Sequence, residues 1–286
     1  MNYAKLLKEK LQQKRALIVP GAANALAARV IESMGFEAIY LSGAGLTNTF
    51  YGLPDLGFIN LSDLASHTSA IKDAVKLPLI VDADTGFGNA LNVRQSIKVL
   101  ERAGADAVQL EDQESPKRCG HFNDKAVITA VEMVGKIKAA VDAKVNPDFM
   151  IIARTDANAV LGLDAALERA HQYREAGADV IFVEAPRNLD EIRRIASSLQ
   201  VPQIINIVIG GKTPTLSHKE LKEMGFGMVL YANAALQGAV IGMQNALGKL
   251  KDTGQLEESS GLVASFELRQ SLVQKPLMDQ LESKYK

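Results

Sequence analysis

Eight short apolar runs alternate with amphipathic helical patterns along the 286 residues, and that alternation is what most restricts the fold. The runs are Ala16–Pro20, Ala38–Leu41, Pro78–Asp82, Ala107–Glu111, Phe149–Arg154, Val180–Glu184, Gln203–Ile207 and Met228–Ala232. Several are continuous rather than alternating, as in Leu79-Ile80-Val81 and Val180-Ile181-Phe182-Val183. Continuous apolarity means strands covered on both faces, the signature of a parallel sheet. Helical spacing marks Asn24–Met34, Val93–Ala103, Thr129–Lys144, Leu163–Ala176 and Leu189–Leu199, three of them stopped by Gly35, Gly104 and Gly177. Ala103-Gly104-Ala105-Asp106 and Ala176-Gly177-Ala178-Asp179 are near copies, each leading into a strand. Eight such units predict an α/β chain folded as a (β/α)8 barrel. A dinucleotide-binding open sheet would need G-x-G-x-x-G after its first strand, and Pro20-Gly21-Ala22-Ala23-Asn24 is not that.

The barrel is expected to fill residues 1–257, with a helical extension over 258–286. Ser265–Lys284 reads as one helix interrupted near Pro276. Leu268, Leu272, Val273 and Leu277, extended by Met278 and Leu281, give it an apolar face with no obvious slot in a closed barrel, to be covered by a neighbouring subunit or laid as a cap on its own barrel. A net charge of −1 and scattered basic residues give no footprint for nucleic acid or an anionic membrane. A single cysteine fits a reducing compartment, and a cytoplasmic enzyme is expected. Gly211-Lys212-Thr213 imitates the end of a P-loop but has Asn206 where the first glycine belongs.

Active sites of such barrels lie at the C-terminal ends of the strands. Reading off those ends gives Tyr40, Ser42, Asp82, Asp84, Glu111, Arg154, Asp156, Glu184 and Asn206. Asp82 and Asp84, two apart, are expected on one face of their strand. Hard oxygen donors without histidines suit Mg²⁺ or Mn²⁺ rather than Zn²⁺. Arg154 offers a planar fork for a substrate carboxylate, or for one of the neighbouring acids. Glu111 and Asp112 are followed, six residues on, by Lys117-Arg118-Cys119-Gly120-His121. An isolated cysteine is usually a small buried hydrophobe, but these flanks are too polar for a core. Two cations and a histidine around a thiol favour the thiolate and proton transfer near neutral pH. The loop Glu114–Lys125 is polar, turns at Gly120, and is expected to order on closure.

Taken in order, Tyr40-Leu41-Ser42-Gly43, Gly52-Leu53-Pro54-Asp55, Val81-Asp82-Ala83-Asp84-Thr85-Gly86-Phe87-Gly88, Glu111-Asp112-Gln113, the Cys119 loop, Ala153-Arg154-Thr155-Asp156 and Glu184-Ala185 resemble the isocitrate lyase and phosphoenolpyruvate mutase superfamily over nearly the whole chain. The resemblance implies a Mg²⁺-dependent barrel that acts on 2-oxo or 2-hydroxy acids through an enolate. It implies the carbon–carbon lyase branch, where the cysteine loop closes over substrate and the thiol protonates the released carboxylate product. Asp82, Asp84 and Glu111 would hold the metal, with Asp55 behind them. Tyr40, Ser42, Gly43 and Ala44 would surround the pyruvate part, and Arg154, Glu184, Asn206, Gly120 and His121 would orient the rest.

Gly210-Gly211-Lys212-Thr213-Pro214 and Tyr231-Ala232-Asn233 look more like 2,3-dimethylmalate lyase than methylisocitrate lyase, although Ile209 stands where the family usually has glutamate. The expected reaction is cleavage of a 2-hydroxy dicarboxylate or tricarboxylate to pyruvate and a carboxylate. The alternatives are 2-methylisocitrate cleavage, oxaloacetate hydrolysis, and a catalytically silent ligand-binding relative. The resemblance also implies a homotetramer that exchanges C-terminal helices.

Overall fold

Inward-facing positions of the strands recur every second residue, and they lead directly into the site. In the computed structural model, which describes residues 1–118, 125–211, 213–214 and 216–286, eight parallel strands close in sequence order into a barrel. They are β1 (Leu17–Ala22), β2 (Ile39–Leu41), β3 (Leu79–Asp82), β4 (Ala107–Glu111), β5 (Met150–Thr155), β6 (Val180–Val183), β7 (Gln203–Asn206) and β8 (Met228–Tyr231). Closure is made by β1 pairing with β8 from Leu17–Met228 to Pro20–Tyr231. Each strand lies within two residues of its expected run.

The helices are α1 (Tyr3–Gln12), α2 (Ala25–Ser33), α3 (Gly43–Tyr51), α4 (Leu61–Ala74), α5 (Ala90–Arg102), α6 (Ala130–Ala143), α7 (Ala157–Leu161), α8 (Leu163–Glu175), α9 (Leu189–Ser198), α10 (His218–Glu223), α11 (Ala234–Thr253), α12 (Phe266–Leu272) and α13 (Lys275–Tyr285). Asparagine caps begin α2, α4, α5 and α9. The charged N-terminal stretch forms α1. It has a purpose the sequence reading missed: Leu7 and Leu11 pack with the barrel interior.

Two cores result. One lies between strands and helices. The other fills the barrel with Leu7, Leu11, Val19, Tyr40, Ile80, Ala107, Met150, Ile152, Val180, Phe182, Ile204, Met228 and Leu230. Following that inner set upward by steps of two gives Asp82 on β3, Gln109 and Glu111 on β4, Arg154 on β5, Glu184 past β6 and Asn206 on β7.

The tail differs from expectation in one respect. It is two helices, and the break is at Gln274, which has a left-handed backbone (φ 57°). Pro276 falls in the first turn of α13, where a proline costs no hydrogen bond, so it starts a helix rather than bending one. Exposure also begins before residue 258: no residue of the 20-residue α11 is buried. Among the described residues, no helix is long and apolar enough to cross a membrane.

Candidate active site

The strand tops bring Asp55, Asp82, Asp84, Glu111, Arg154, Glu184 and Asn206 together, each at most 8% exposed. A narrow cavity of about 50 Å³ opens among Tyr40, Ser42, Ala44, Asp55, Asp82, Lys117, Arg118, Arg154, Glu184 and Asn206, with Phe182, Val208, Leu230 and Ala232 as its apolar wall. A larger cleft, about 460 Å³, lies at the opposite end beside Lys10, Arg15 and His218. Acids do not converge there, so the chemistry belongs to the smaller cavity.

Asp82 and Asp84 do face the same space, but not by strand alternation. The strand ends at Asp82, and a left-handed backbone at Asp84 (φ 48°) turns its carboxylate back. The two carboxylates crowd Gly43. A Cβ there would lie 3.2 Å from Asp84 Oδ1 and 3.4 Å from Asp82 Oδ2. Ser42 caps α3 by accepting from Gly45 N–H at 3.1 Å.

Strand alternation splits the other acidic pair. Glu111 points inward, while Asp112 points out to α8 and accepts from Tyr173 Oη at 2.7 Å and Arg169 Nη1 at 3.0 Å. Asp112 is therefore not part of the pocket.

Lys117 departs furthest from the position expected of it. The sequence places it beside the thiol, but its ammonium donates to both oxygens of Asp55 at 2.5 and 2.6 Å and lies 3.0 Å from Asp84 Oδ1. Burial alone would lower its pKa, but Asp84, Asp55, Glu111 and Asp82 hold it well above the ordinary lysine value. Burial also pushes Asp84 up to about 7, against the opposing pull of Lys117, and pushes Glu111 well up against Arg154. Tyr40 stays a phenol, raised by burial and Asp82, and donates to Gln109 Oε1 at 2.7 Å. Gln109 in turn donates to Asp82 Oδ1 at 3.1 Å, and Gln113 to Glu111 Oε1 at 3.0 Å. Neither glutamine is marked as a site residue by the sequence pattern.

Arg154 meets three acids: Asp156 at 2.8 Å, Glu111 at 3.3 Å and Glu184 at 3.6 Å. Burial opposes its charge and those acids restore it. Asn206 Oδ1 is buried and finds no partner among the described residues. Val208 lines the cavity, whereas Ile209, 55% exposed, stands outside it. Cys119, Gly120 and His121 lie outside the described residues, as does much of the expected closing loop.

The residues fit a hard divalent cation. Among the described residues no ready cage of acid, histidine or cysteine ligands is formed. Even so, buried Asp84 and Glu111 are short of positive charge, and the pocket already accepts one cation, the Lys117 ammonium.

A family model described as phosphoenolpyruvate phosphomutase matches residues 7–251. The chain belongs to that family. It is 44% identical to 2,3-dimethylmalate lyase of Eubacterium barkeri over 252 residues, covering 88% of this chain and 87% of that one. It is likewise 44% identical to 2-methylisocitrate lyase of Aeropyrum pernix over 249 residues, covering 87% and 80%. Among solved structures, oxaloacetate acetylhydrolase with the inhibitor 3,3-difluorooxalacetate superposes with a TM-score of 0.92 at 32% identity, covering 99% of this chain and 97% of that one. Phosphonopyruvate hydrolase in complex with oxalate and Mg²⁺ superposes at 0.89 and 31%, covering 100% and 99%.

Proposed function

We propose that this protein is a Mg²⁺-dependent carbon–carbon lyase that cleaves a 2-hydroxy dicarboxylate of the 2,3-dimethylmalate type to pyruvate and a second carboxylate. The observation that carries the reading is the convergence of Asp55, Asp82, Asp84 and Glu111 with the Arg154 guanidinium at one narrow pocket, which Asp55, Asp82 and Arg154 line and where Arg154 lies 3.3 Å from Glu111. Asp82, Asp84 and Glu111 would hold the metal, with Asp55 supporting through Lys117. When bound, Mg²⁺ would supply positive charge to the 2-hydroxyl and its neighbouring carboxylate, which favours the alkoxide from which the bond breaks.

The chain's own residues do the rest. Tyr40, Ser42, Gly43 and Ala44 enclose the end that becomes pyruvate. Arg154 grips a carboxylate, and Glu184 and Asn206 fix its orientation. The 2-hydroxyl gives its proton to the Glu184 carboxylate, which lines the cavity, as its carbon becomes a carbonyl and the C2–C3 bond breaks. The electron pair passes to C3 and its carboxylate as an enolate. The Cys119 thiol returns a proton to C3, with Gly120 and His121 at the same loop. The apolar wall of Phe182, Val208, Leu230 and Ala232 favours methyl substituents over a third carboxylate.

Oxaloacetate hydrolysis is kept as a second reading, because the hydrolase superposes over almost the entire chain. A coupled assay for pyruvate over dimethylmalate, methylisocitrate, isocitrate and citramalate, with oxalate measured from oxaloacetate, separates them. No Mg²⁺-dependent pyruvate or glyoxylate release from any of the four would sink the lyase reading.

The active form is proposed to be a homotetramer exchanging C-terminal helices. Val240, Ile241, Met243 and Leu247 on α11, and Phe266, Leu268, Leu277 and Met278 beyond it, are exposed apolar residues that a neighbour would cover.

A further inference from the structure

Arg154 is held so that one edge of its guanidinium is spent and another is left. Nε and Nη2 donate to the two oxygens of Asp156 at 2.8 and 3.0 Å. One face lies over the Phe182 ring, 5.3 Å from its centroid. A planar fork fixed along one edge and stacked on one face has little freedom to rotate. What remains is the terminal edge, Nη1 with the outer hydrogen of Nη2. Nη1 is 3.6 Å from Glu184, and Arg154, Phe182 and Glu184 all line the cavity.

Asp156 is withheld from its ordinary local task. It precedes α7 at the capping position, where aspartate usually accepts a backbone N–H, yet it makes no such bond. Thr155 Oγ1 accepts from Ala157 N–H instead, at 3.2 Å. The freed carboxylate takes two cations, Arg154 and Lys125, the latter at 2.8 Å. Its backbone is fixed from behind. Asp112 accepts from Asp156 N–H at 2.9 Å and from the Thr155 hydroxyl at 2.7 Å, and is itself tied to Tyr173 and Arg169 of α8.

We propose that Asp156 is a positioning residue, which aims the terminal edge of Arg154 into the cavity as a two-pronged donor for a substrate carboxylate, with Asp112, Tyr173 and Arg169 as its support. This rests on the lyase reading and deepens it by naming the side chain on which carboxylate recognition depends. Two variants disturb the aim differently. Asp156→Asn replaces one acceptor oxygen by a donor that faces the guanidinium. Asp156→Glu keeps the charge and both cations but pushes the fork outward by one methylene.

The test is calorimetric binding of oxalate in the presence of Mg²⁺, alongside titration with Mg²⁺ alone and thermal unfolding to confirm the fold. Both variants should bind oxalate about 10- to 100-fold more weakly, the scale expected when a binding group is displaced by about 1 Å. Mg²⁺ affinity alone should be unchanged. In an Arg154→Lys background, Asp156→Asn should add nothing, because its effect passes through Arg154. Wild-type oxalate affinity in folded Asp156→Asn or Asp156→Glu, additive losses in the double variant, or an equal loss of Mg²⁺ affinity would each overturn the proposal. Wild-type protein that binds no oxalate would sink the lyase reading and this inference with it.

Discussion

At the mouth of the barrel, charge is crowded and hidden; along α11 and the tail, apolar side chains stand in the open. Among the described residues, six acids and three buried cations are packed into the first region: Asp82 accepts from Gln109, and the other five acids each meet a lysine or arginine. The second has the reverse defect: Ile241, Met243, Leu247 and Phe266 are each more than half exposed. Both are expensive arrangements for a chain alone in water. The contrast sets the two proposals side by side: small ligands would complete the mouth, and another copy of the chain would cover the helices.

The sharpest way to break the first half of that contrast is to remove a carboxylate of the mouth. Asp82→Ala should lower turnover by about 10³-fold or more, since metal-borne charge stabilisation is worth several kcal/mol. EDTA treatment of wild type should do the same, with recovery on adding Mg²⁺, and activity that survives both would remove the metal from the reaction. Next in size is the proton donor. Cys119→Ser should reduce kcat by about 10²–10⁴-fold, the usual range for a general acid, with pyruvate binding barely altered. A nearly wild-type kcat would take the thiol out of the mechanism.

The second half is tested by mass. Truncation after Gly261, or Ile241→Asp on α11, should give smaller or aggregated species by light scattering. A full-length protein with the mass of one chain would refute the covered-helix reading.

The smallest effect is one of pH. Burial raises the Asp156 carboxyl, but Arg154 and then Lys125 more than reverse it, holding it at about 2 against an ordinary 3.8. A depressed acid adds stability that is present above about pH 4 and is lost as pH falls through about 2. The stability gap between wild type and Asp156→Asn should therefore be constant above pH 4 and shrink below it, read by urea unfolding. A gap independent of pH down to 2 would mean that the ion pair adds nothing to the fold.

Much of the barrel was legible in the sequence because a strand buried on both faces leaves a mostly apolar run, continuous in cases such as Leu79-Ile80-Val81 and Val180-Ile181-Phe182-Val183. The rim residues were legible for the same reason, being the first polar positions after those runs. What could not be read is whatever depends on partners far apart in the chain. Lys117 and Asp55 are 62 positions apart, and no local period joins them. The sequence alone made Lys117 a neighbour of Cys119, although its ammonium serves two carboxylates. Glu111 and Asp112 looked like one acidic pair until the pleat placed them on opposite sides of the sheet. α11 reads as an ordinary eighth helix, because an apolar face looks the same whether a barrel or a neighbour covers it.

Leu7 and Leu11 pack into the lower end of the barrel, so that among the described residues the acid-lined cavity is reached from the strand tops. Traffic through a single door runs last in, first out. In the proposed reaction, the fragment seated deeper, on the Tyr40 and Ser42 side, would wait for the fragment nearer the mouth to leave. Product release should accordingly be ordered, and the fragment that leaves second should be the one that competes directly with substrate for the empty enzyme.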